Sequence, residues 1–296
     1  MNVLRKIEWA AEQLEAAGVV FGHGTTNAFD EAAWLVLWRL GLPLDANLAT
    51  PGHVGMRALS ATEQQAIDAL ITQRIDSRRP AAYLTGEAWL QGVPFTVDER
   101  VIVPRSLIAE LIADGTLDAW LGSHTTQVLD LCTGNGSLAV LAALAWPEVQ
   151  VLATDLSADA LAVARLNVER HALGARIGLA QGDGLAALAP GQRFDLVLCN
   201  PPYVNRAAMA ALPPEYRAEP ALALDGNAEG GSDGMDFVRR LLPAISQHLQ
   251  PDGVLVLEIG HEREHFLAAF RRLPVVWLPT SGGDDQVLLI EAAALR

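Results

Sequence analysis

The sequence predicts an α/β protein with a doubly wound, mainly parallel sheet of seven strands, preceded by a small helical domain. Two observations carry this prediction. From about residue 127 onward, short apolar runs alternate with amphipathic helical segments, which is typical of a parallel sheet covered on both faces. Before that point, apolar residues recur at helical spacing, as in Val3, Leu4 and Ile7. The alternation begins only after a separate helical part.

Composition excludes several classes of protein. The 296 residues are 51% hydrophobic and 19% charged, which is ordinary for a globular α/β chain and argues against disorder. No apolar stretch approaches the ~20 residues of a membrane span, and the start of the chain does not resemble a signal peptide. The net charge of −14 disfavours non-specific binding to nucleic acid. Cys132 and Cys199 have no metal-ligand spacing, so we expect a cytoplasmic protein without structural metal.

The first residues predict a helical domain and a linking hairpin. Ser60 and Glu63 form a capping box ahead of a further helix. Alternating Val and Phe residues at 93–97 and the apolar run 101–103 flank a polar turn, which predicts a β-hairpin. We therefore divide the chain into a helical substrate-recognition domain (1–90), a hairpin linker (91–106) and an α/β domain (107–296).

Within the α/β domain the elements follow in order. A helix is predicted for 107–121, and Ser137 and Ser157 begin two helices that follow strands. Only a short polar turn separates the last two strands, so one of them is expected to run antiparallel at the sheet edge. The predicted strands are 128–131, 149–154, 177–180, 194–199, 254–259, 275–278 and 287–290.

The most informative residues are Asn200, Pro201, Pro202 and Tyr203, which directly follow the fourth strand. Two prolines end the strand because neither can donate to the ladder. The turn therefore presents a carboxamide, bare carbonyls and one aromatic ring at the edge where open α/β sheets bind ligands. Asn200 and the carbonyl of Pro201 can accept both hydrogens of a planar amino group, and Tyr203 can pack on its face. This predicts a site that holds an –NH2 group next to a cationic methyl donor.

A glycine-rich turn follows the first strand of the sheet and predicts a nucleoside-containing cofactor. The turn runs from Asp130 through Cys132, Thr133, Gly134 and Asn135 to Gly136. Its glycines let the backbone approach a ligand. Asp155 ends the second strand and is placed to accept both ribose hydroxyls, and Asp183 follows the third strand and is placed to accept an adenine amino hydrogen.

The same turn also fits G-x-G-x-x-A, the weak fingerprint of dinucleotide binding. Two features favour S-adenosylmethionine over a dinucleotide. Asp130 suits the ammonium group of a methionine tail but not a pyrophosphate. A hydride-transfer enzyme also has no use for the carboxamide and two prolines at residues 200–202.

Three further patterns are better explained by structure than by chemistry. His261-Glu262-Arg263-Glu264-His265 matches a zinc motif but is highly charged and lacks a third ligand, so we interpret it as a solvated first helical turn. Residues 230–234 match the G-x-S-x-G elbow without a preceding strand, and their composition predicts a mobile loop. Four tryptophans are interpreted as core residues and not as base-stacking groups: Trp9, Trp34, Trp38 and Trp89.

On the Asn-Pro-Pro-Tyr and glycine-turn motifs, the chain resembles the N(5)-glutamine methyltransferases, a class I S-adenosylmethionine-dependent group with a Rossmann-like fold. The resemblance covers nearly the whole chain. It implies that Asn200, Pro201, Pro202 and Tyr203 hold a glutamine side-chain amide. It also implies cofactor contacts at Cys132 to Gly136, with Asp155 on the ribose.

Three stretches resemble the branch that modifies the third large-subunit ribosomal protein more than the release-factor branch. They are 82–89, 97–106 and 212–220. Ser106-Leu107-Ile108 stands where the release-factor branch usually has Pro-Glu-Thr, and Cys132 replaces a more usual glycine. Gly184 stands where that branch often has a tryptophan beside the adenine, which leaves the stacking contact open. The loop 225–234 is long and acidic.

The resemblance implies a cytoplasmic enzyme whose substrate is a ribosomal protein or an assembling large subunit, with S-adenosylmethionine as cofactor, no metal and no sequence-specific DNA binding. Methylation of release factors is the nearest alternative, and an adenine-N6 DNA methyltransferase poses the same problem of holding an amino group. An idle binding module and a nicotinamide dehydrogenase also remain open at this point.

Overall fold

The computed structural model describes residues 1–48 and 53–296 and divides the chain into two compact units. The first unit is Met1–Glu87 together with Pro213–Ala218, and the second is Ala88–Leu212 together with Glu219–Arg296. The sequence placed the first boundary near residue 90, kept the hairpin as a separate linker and gave no sign that a distant segment returns to the helical unit.

The described residues form α-helices and β-strands in the order that the sequence alternation indicates. The helices are α1 (Val3–Ala16), α2 (Ala28–Arg39), α3 (Ala61–Ser77), α4 (Ala81–Thr85), α5 (Ile108–Ala113), α6 (Ser137–Ala145), α7 (Ala158–Arg170), α8 (Arg206–Ala211), α9 (Pro214–Arg217), α10 (Asp236–Ile245) and α11 (Arg263–Ala269). The strands are β1 (Glu87–Leu90), β2 (Val93–Thr96), β3 (Gln127–Leu131), β4 (Gln150–Asp155), β5 (Ile177–Gln181), β6 (Phe194–Cys199), β7 (Leu249–Glu258), β8 (Val276–Thr280) and β9 (Gly283–Glu291).

Side-chain caps begin the main helices of the first unit. Asn2 and Asn27 accept the backbone N–H three residues ahead, and Ser60 and Glu63 form the expected reciprocal capping box. The apolar faces of α1, α2 and α3 meet in one core. No helix in the described residues is long and apolar enough to cross a membrane.

Glu215 joins the distant segment Pro213–Ala218 to the first unit. Its side chain is fully buried and accepts hydrogen bonds from Nη1 of Arg78 at 3.1 Å and from the N–H of Val20 at 3.3 Å. The buried pair Arg74–Glu31 lies in the same unit, at 2.8 Å. Buried charges are tolerated only when paired, so this arrangement requires that residues 213–218 return to the helical core.

The β-hairpin forms in a different place from the one expected. The strands β1 and β2 pair with each other, joined by Gln91 and Gly92, both at positive φ (50° and 74°). Two consecutive positive-φ residues are what the tightest hairpin turns require. Residues 101–103 form no strand, because Asp98 accepts the N–H of Arg100 and its carbonyl accepts the N–H of Val101. The predicted strand at 93–97 forms, but it pairs with 87–90 and not with 101–103, so the predicted hairpin was wrong in its second strand and its turn.

The helix expected over 107–121 is interrupted. Helix α5 ends at Ala113, Gly115 takes a left-handed conformation (φ 76°), and Thr116–Trp120 continues as a 3₁₀ turn. A left-handed residue cannot propagate an α-helix, so apolar spacing alone overestimated its length.

The seven-stranded sheet has the order β5-β4-β3-β6-β7-β9-β8. Strands β3 to β7 pair in parallel, and β9 runs antiparallel to both β7 and β8. The doubly wound, mainly parallel fold is as expected. The antiparallel strand, however, lies inside the sheet, and the edge position belongs to β8. The short β8–β9 turn makes these two strands an antiparallel pair, and of the two it is β9 that pairs with β7.

Helices cover both faces of the sheet. Helices α5, α6 and α7 pack on one face, and α10 and α11 pack on the other, each with its own apolar cluster. The tryptophan interpretation was wrong for two residues: Trp38 is 37% exposed and Trp89 is 46% exposed. Trp9 and Trp34 pack against the core of the first unit.

Candidate active site

The registers of the parallel strands bring the functional residues to one sheet edge. Leu131 of β3 is level with Thr154 of β4 and with Cys199 of β6, and Cys199 is level with Leu257 of β7. The next residue of each strand therefore emerges at the same height, at the carboxyl edge where open α/β sheets bind ligands. The four residues that emerge there are Cys132, Asp155, Asn200 and Glu258.

A crevice of about 360 Å³ runs along this edge, wholly within the second unit. That volume lies in the range of ~300–1,000 Å³ usual for small-molecule sites. The crevice is also bordered by Val101 and Ile102, the residues expected to be a strand. Six of the predicted catalytic and cofactor-binding residues line the crevice: Cys132, Gly134, Asp155, Asp183, Asn200 and Pro202.

The glycine turn exposes its backbone to the crevice. Gly134 has φ +56°, and a Cβ built there meets no atom within 4 Å, so the backbone faces open space. Gly136 has φ +80°, and its Cβ would lie 3.2 Å from Cβ of Ala164 on α7. The first glycine therefore opens the turn to a ligand, and the second lets α6 pack closely on α7. Cys132 takes positive φ (62°) without being glycine.

Asp130 is turned into the protein and holds the turn. Its carboxylate accepts hydrogen bonds from the hydroxyl of Thr133 and from the N–H of Ala139 in the first turn of α6. Complete burial raises its pKa to about 7, although both bonds favour the charged form. Its second oxygen, Oδ1, is buried and has no partner in the described part of the chain. This oxygen is an available acceptor beneath the turn.

Asn135 is also turned inward. Its Oδ1 accepts the N–H of Ser137 at 3.2 Å, and its carbonyl accepts Nδ2 of the buried Asn167 at 2.9 Å. These bonds connect the turn to α6 and α7. Asn135 and Thr133 therefore shape the turn, and its open face is presented by Cys132 and Gly134.

Asp155 stands in the middle of the crevice, where β4 ends. Its oxygens accept the N–H of Gly134 and the N–H of Ser157, each at 2.9 Å. Burial raises the pKa of this carboxyl, and the backbone bonds oppose the rise. A carboxylate that is fixed by two backbone donors keeps further lone pairs for a diol ligand.

Asp183 lines the crevice but already has a partner. Both of its oxygens bind the guanidinium of Arg240 on α10, at 2.6 and 2.9 Å. Arg240 also lies 3.3 Å from Glu229. The sequence gave no sign of this pair, which bridges the far end of the crevice.

The Asn-Pro-Pro-Tyr turn follows β6, whose bounds are those expected. The carboxamide of Asn200 makes no hydrogen bond to any residue that the structure describes, and it faces the crevice. Pro201 is buried and Pro202 lines the crevice. Tyr203 points toward β7, with its hydroxyl 3.3 Å from Oε1 of Glu258. The pKa of Tyr203 is raised by burial and by the negative charge of Glu258.

Glu258 is a residue at this sheet edge that the sequence reasoning missed. It is 3% exposed, and its Oε2 accepts the hydroxyl of Ser106 at 2.6 Å and the N–H of Leu107 at 2.9 Å. Burial raises the pKa of this carboxyl, and these bonds lower it. The available signal in the sequence was a carboxylate within the apolar run 254–259, because burying a charged side chain is costly unless it is paired or hydrogen-bonded.

Arg105 and Glu219 hold the segment that borders the crevice. The guanidinium of Arg105 binds both oxygens of Glu219, at 2.6 and 2.7 Å, and Glu219 also accepts the N–H of Val103 at 2.9 Å. Two parallel charge-assisted bonds fix a planar geometry. Val101 and Ile102 are thereby held beside the crevice.

The loop 225–234 contains several hydrogen bonds that its composition, which predicts a mobile loop at 230–234, did not indicate. Asp236 accepts the N–H groups of Glu229 and Gly231, each at 2.9 Å, and Asn227 accepts the N–H of Gly234 at 3.0 Å. Arg206 donates to the carbonyl of Gly231 at 2.6 Å. These hydrogen bonds hold the Gly-rich loop in a defined conformation.

The His261–His265 segment is less solvated than expected. Glu262 is only 7% exposed and accepts Nδ2 of Asn205 at 2.7 Å as well as a bond from His265. It thereby braces the chain just after the Asn-Pro-Pro-Tyr turn. Across the described ranges 1–48 and 53–296, no three His, Cys, Asp or Glu side chains are grouped to hold a metal ion.

Comparisons with known proteins agree with this geometry. A family model described as the methyltransferase small domain matches residues 112–213. The ribosomal protein uL3 glutamine methyltransferase of Bordetella pertussis is 53% identical over 292 residues, covering 98% of this chain and 95% of the relative. The corresponding proteins of Burkholderia pseudomallei (50% identical, 98% and 94% covered) and Bradyrhizobium diazoefficiens (45% identical, 100% and 92% covered) are similar over the same extent.

One solved structure is informative about the fold alone. The catalytic domain of hMettl16, in complex with an RNA hairpin of the MAT2A 3'UTR, superposes with a TM-score of 0.53 at 17% identity. The match covers 88% of this chain and 89% of the other. The seven-stranded sheet is thus a class I, Rossmann-like methyltransferase fold.

Proposed function

The chain belongs to the family of ribosomal protein uL3 glutamine methyltransferases, and from this premise we propose that it methylates the side-chain amide nitrogen of a glutamine in that ribosomal protein, with S-adenosylmethionine as the methyl donor. The observation that carries the proposal is the position of Asn200: an unbonded carboxamide beside a crevice that fits the donor. Methylation of a release-factor glutamine is the outcome that the test must separate from it.

The crevice residues fit the donor chemically. The open backbone at Gly134 and the fixed carboxylate of Asp155 suit a ribose and its neighbouring atoms. The unpartnered Oδ1 of Asp130 is a buried acceptor beneath the turn that suits the ammonium group of the methionine tail. Thr133, Asn135 and Gly136 would act by shaping the turn. The residues that would contact the cofactor along the crevice are Cys132, Gly134, Asp155, Asp183 and Asn200.

When bound, S-adenosylmethionine supplies an electrophilic methyl group on a sulfonium. An amide nitrogen is a weak nucleophile, because its lone pair is delocalised into the carbonyl. The protein must therefore align the amide. Holding two reactants in line contributes up to about 7–11 kcal/mol in well-oriented cases.

Asn200 and the carbonyl of Pro201 would accept the two amide hydrogens, and Pro202 would hold the turn rigid. These bonds strengthen as positive charge builds on the nitrogen, which stabilises the transition state more than the bound substrate. Tyr203 would supply the aromatic surface, with its ring position set by Glu258. The nitrogen loses its proton readily after transfer, so the site needs no strong base.

We assign recognition of the protein substrate to the helical domain, because every residue that lines the crevice belongs to the second unit. The net charge of −14 suits a ribosomal protein, since a protein that binds RNA phosphates carries Lys and Arg. The same charge opposes methylation of duplex DNA. Action in the cytoplasm, on free protein or on assembling subunits, is part of the proposal.

The test is direct. The purified protein is incubated with methyl-labelled S-adenosylmethionine and, separately, with uL3, a release factor and duplex DNA. We expect label in uL3 alone, on one glutamine, with a mass increase of one methylene by peptide mass spectrometry. Label in the release factor would favour the alternative substrate. Absence of transfer to any of the three would overturn the proposal.

A further inference from the structure

The strand order sets a direction along the crevice. From β5 through β4 and β3 to β6, the residues at the carboxyl edge are Asp183, Asp155, Gly134 and Asn200. Neighbouring strands are ~4.8 Å apart, so three gaps span about 14 Å. If the methyl group faces Asn200 and the ribose faces Asp155, the adenine must extend toward Asp183 and Gly184.

Gly184 provides no surface for an adenine ring. It has φ +56°, a conformation that larger residues rarely adopt, so a side chain is disfavoured there by the backbone itself. A Cβ at this position would lie 3.6 Å from the ring of Phe237, which is ordinary van der Waals contact. A bulky side chain at 184 would therefore compete with Phe237 for the same space.

Phe237 stands across from Gly184 and lines the crevice. It lies in the first turn of α10, whose buried face is formed by Val238, Leu241 and Ile245. Phe237 lies at the edge of that face, packed partly against the core and only half-buried, so part of its ring is left to line the crevice.

Arg240 supports this ring. It lies one helical turn after Phe237, and its guanidinium carbon is 5.6 Å from the ring centroid. The same guanidinium binds both oxygens of Asp183. A ring flanked by a fixed cation has a restricted position, which reduces the entropy lost when a ligand packs on it.

We propose that Phe237 is a cofactor-binding residue that packs on the adenine ring of S-adenosylmethionine, taking the place of an aromatic side chain at position 184. This inference rests on the proposed function of the crevice. It extends that function by assigning the adenine contact to a helix on the other side of the crevice. Gly184 and Phe237 then form a compensating pair, in which the ring of Phe237 supplies the aromatic surface that Gly184 lacks.

The first experiment measures binding by calorimetry with two probes. S-adenosylhomocysteine carries both halves of the cofactor, and 5′-methylthioadenosine carries the nucleoside without the amino acid. We expect Phe237→Ala to weaken both probes by about 10- to 100-fold, the usual effect of removing an aromatic partner from a base. Phe270→Ala, directly after α11, is the matched control, a partly buried ring outside the crevice lining, and should leave both affinities unchanged.

A second experiment uses the compensating pair. Gly184→Trp should weaken both probes while Phe237 is present. In the double variant Gly184→Trp, Phe237→Ala, the space left by Phe237 is open to the new indole, so affinity should recover above that of Phe237→Ala despite the strained backbone at 184. A folded double variant that binds no better than Phe237→Ala would overturn the compensating pair. Addition of S-adenosylhomocysteine should quench the tryptophan fluorescence of the double variant more than that of Phe237→Ala, which lacks the new indole. Thermal melting without ligand shows that each variant is folded.

The outcomes separate this inference from the proposed function. If the unmodified protein binds neither probe, the proposed function fails. If it binds both and Phe237→Ala binds them equally well, the assignment of Phe237 is wrong and the function stands. Loss of S-adenosylhomocysteine binding with full retention of 5′-methylthioadenosine binding would place Phe237 at the amino-acid end and also overturn the inference.

Discussion

The hydroxyl of Tyr203 donates a hydrogen bond to Glu258, at 3.3 Å across the ends of two neighbouring strands. The ring is also confined on one side, because a Cβ at Gly260 would overlap it. Glu258 is in turn held by Ser106 and by the N–H of Leu107. The position of the Tyr203 ring therefore depends on the buried carboxylate of Glu258 on β7 and on Ser106, which precedes α5.

Glu258→Gln tests this dependence. The carboxamide keeps the size of the side chain but has only one acceptor oxygen for Ser106, Leu107 and Tyr203, so the ring should lose its fixed position. We expect kcat to fall about 10-fold, with affinity for S-adenosylhomocysteine nearly unchanged, because a misaligned group lowers the rate more than cofactor binding. Exposed Glu264→Gln is the control. An equal loss of cofactor affinity would contradict a positioning role.

Asn200→Ala should strongly slow methyl transfer and leave the cofactor bound. The carboxamide has no bond to other described residues, so its removal costs little stability. Loss of a group that stabilises the transition state lowers kcat by about 10²- to 10³-fold. Asn200→Gln keeps the carboxamide but displaces it, and should also be impaired. A large drop in S-adenosylhomocysteine affinity by calorimetry would instead place Asn200 in cofactor binding alone.

Asp155→Ala should weaken the cofactor by about 1.5–3 kcal/mol, the value of hydrogen bonds to a charged group. Burial raises the pKa of Asp155, so its carboxylate becomes protonated sooner as the pH is lowered. In the unmodified protein the affinity for the cofactor should therefore begin to fall at a higher pH than it would with an ordinary aspartate. Exposed Asp159→Ala, four residues on, should change neither the affinity nor its pH profile. An unchanged dissociation constant for Asp155→Ala would remove that residue from the site.

Asp130 should make folding stability depend on pH. Its pKa is raised from 3.8 to about 7, so between these values the folded chain binds more protons than the unfolded chain. Its contribution to the free energy of unfolding is therefore greatest near pH 4 and falls, by a few kcal/mol at most, as pH rises toward about 7. Asp130→Asn cannot titrate, and denaturant titrations should show a shallower decline across this range.

Exposed Asp252→Asn is the control for Asp130 and should keep the slope of the unmodified protein. If Asp130→Asn also keeps that slope, the buried carboxyl does not titrate where its environment indicates.

The strands and their ends could be predicted because they depend on local signals. Burial on both faces gives an uninterrupted apolar run, so β6 was expected with the bounds it has, Phe194–Cys199. Two prolines stop a strand wherever they occur, which located the Asn200 turn. Ser157 caps α7 as expected, since a cap needs only the N–H three residues ahead. The family resemblance that rested on these motifs is confirmed by the near full-length relatives.

Register and partner choice could not be predicted in the same way. The hairpin formed at 87–96 because two consecutive positive-φ residues outweighed the alternation seen at 93–103. Strand β9 took an interior position because it must pair with both β7 and β8. Apolar alternation reports that a residue is buried and says nothing of the neighbour it is buried against.

The sequence by itself determined that the chain carries a methyltransferase sheet, with a glycine turn after β3 and a carboxamide after β6. Only the tertiary structure decided that Glu258 fixes Tyr203, that Phe237 faces the bare position at Gly184 and that Pro213–Ala218 returns to the helical unit. The reason is physical. Turns and strand ends follow from a few neighbouring residues, whereas these contacts join groups more than thirty residues apart and exist only once strand register and helix packing bring them together.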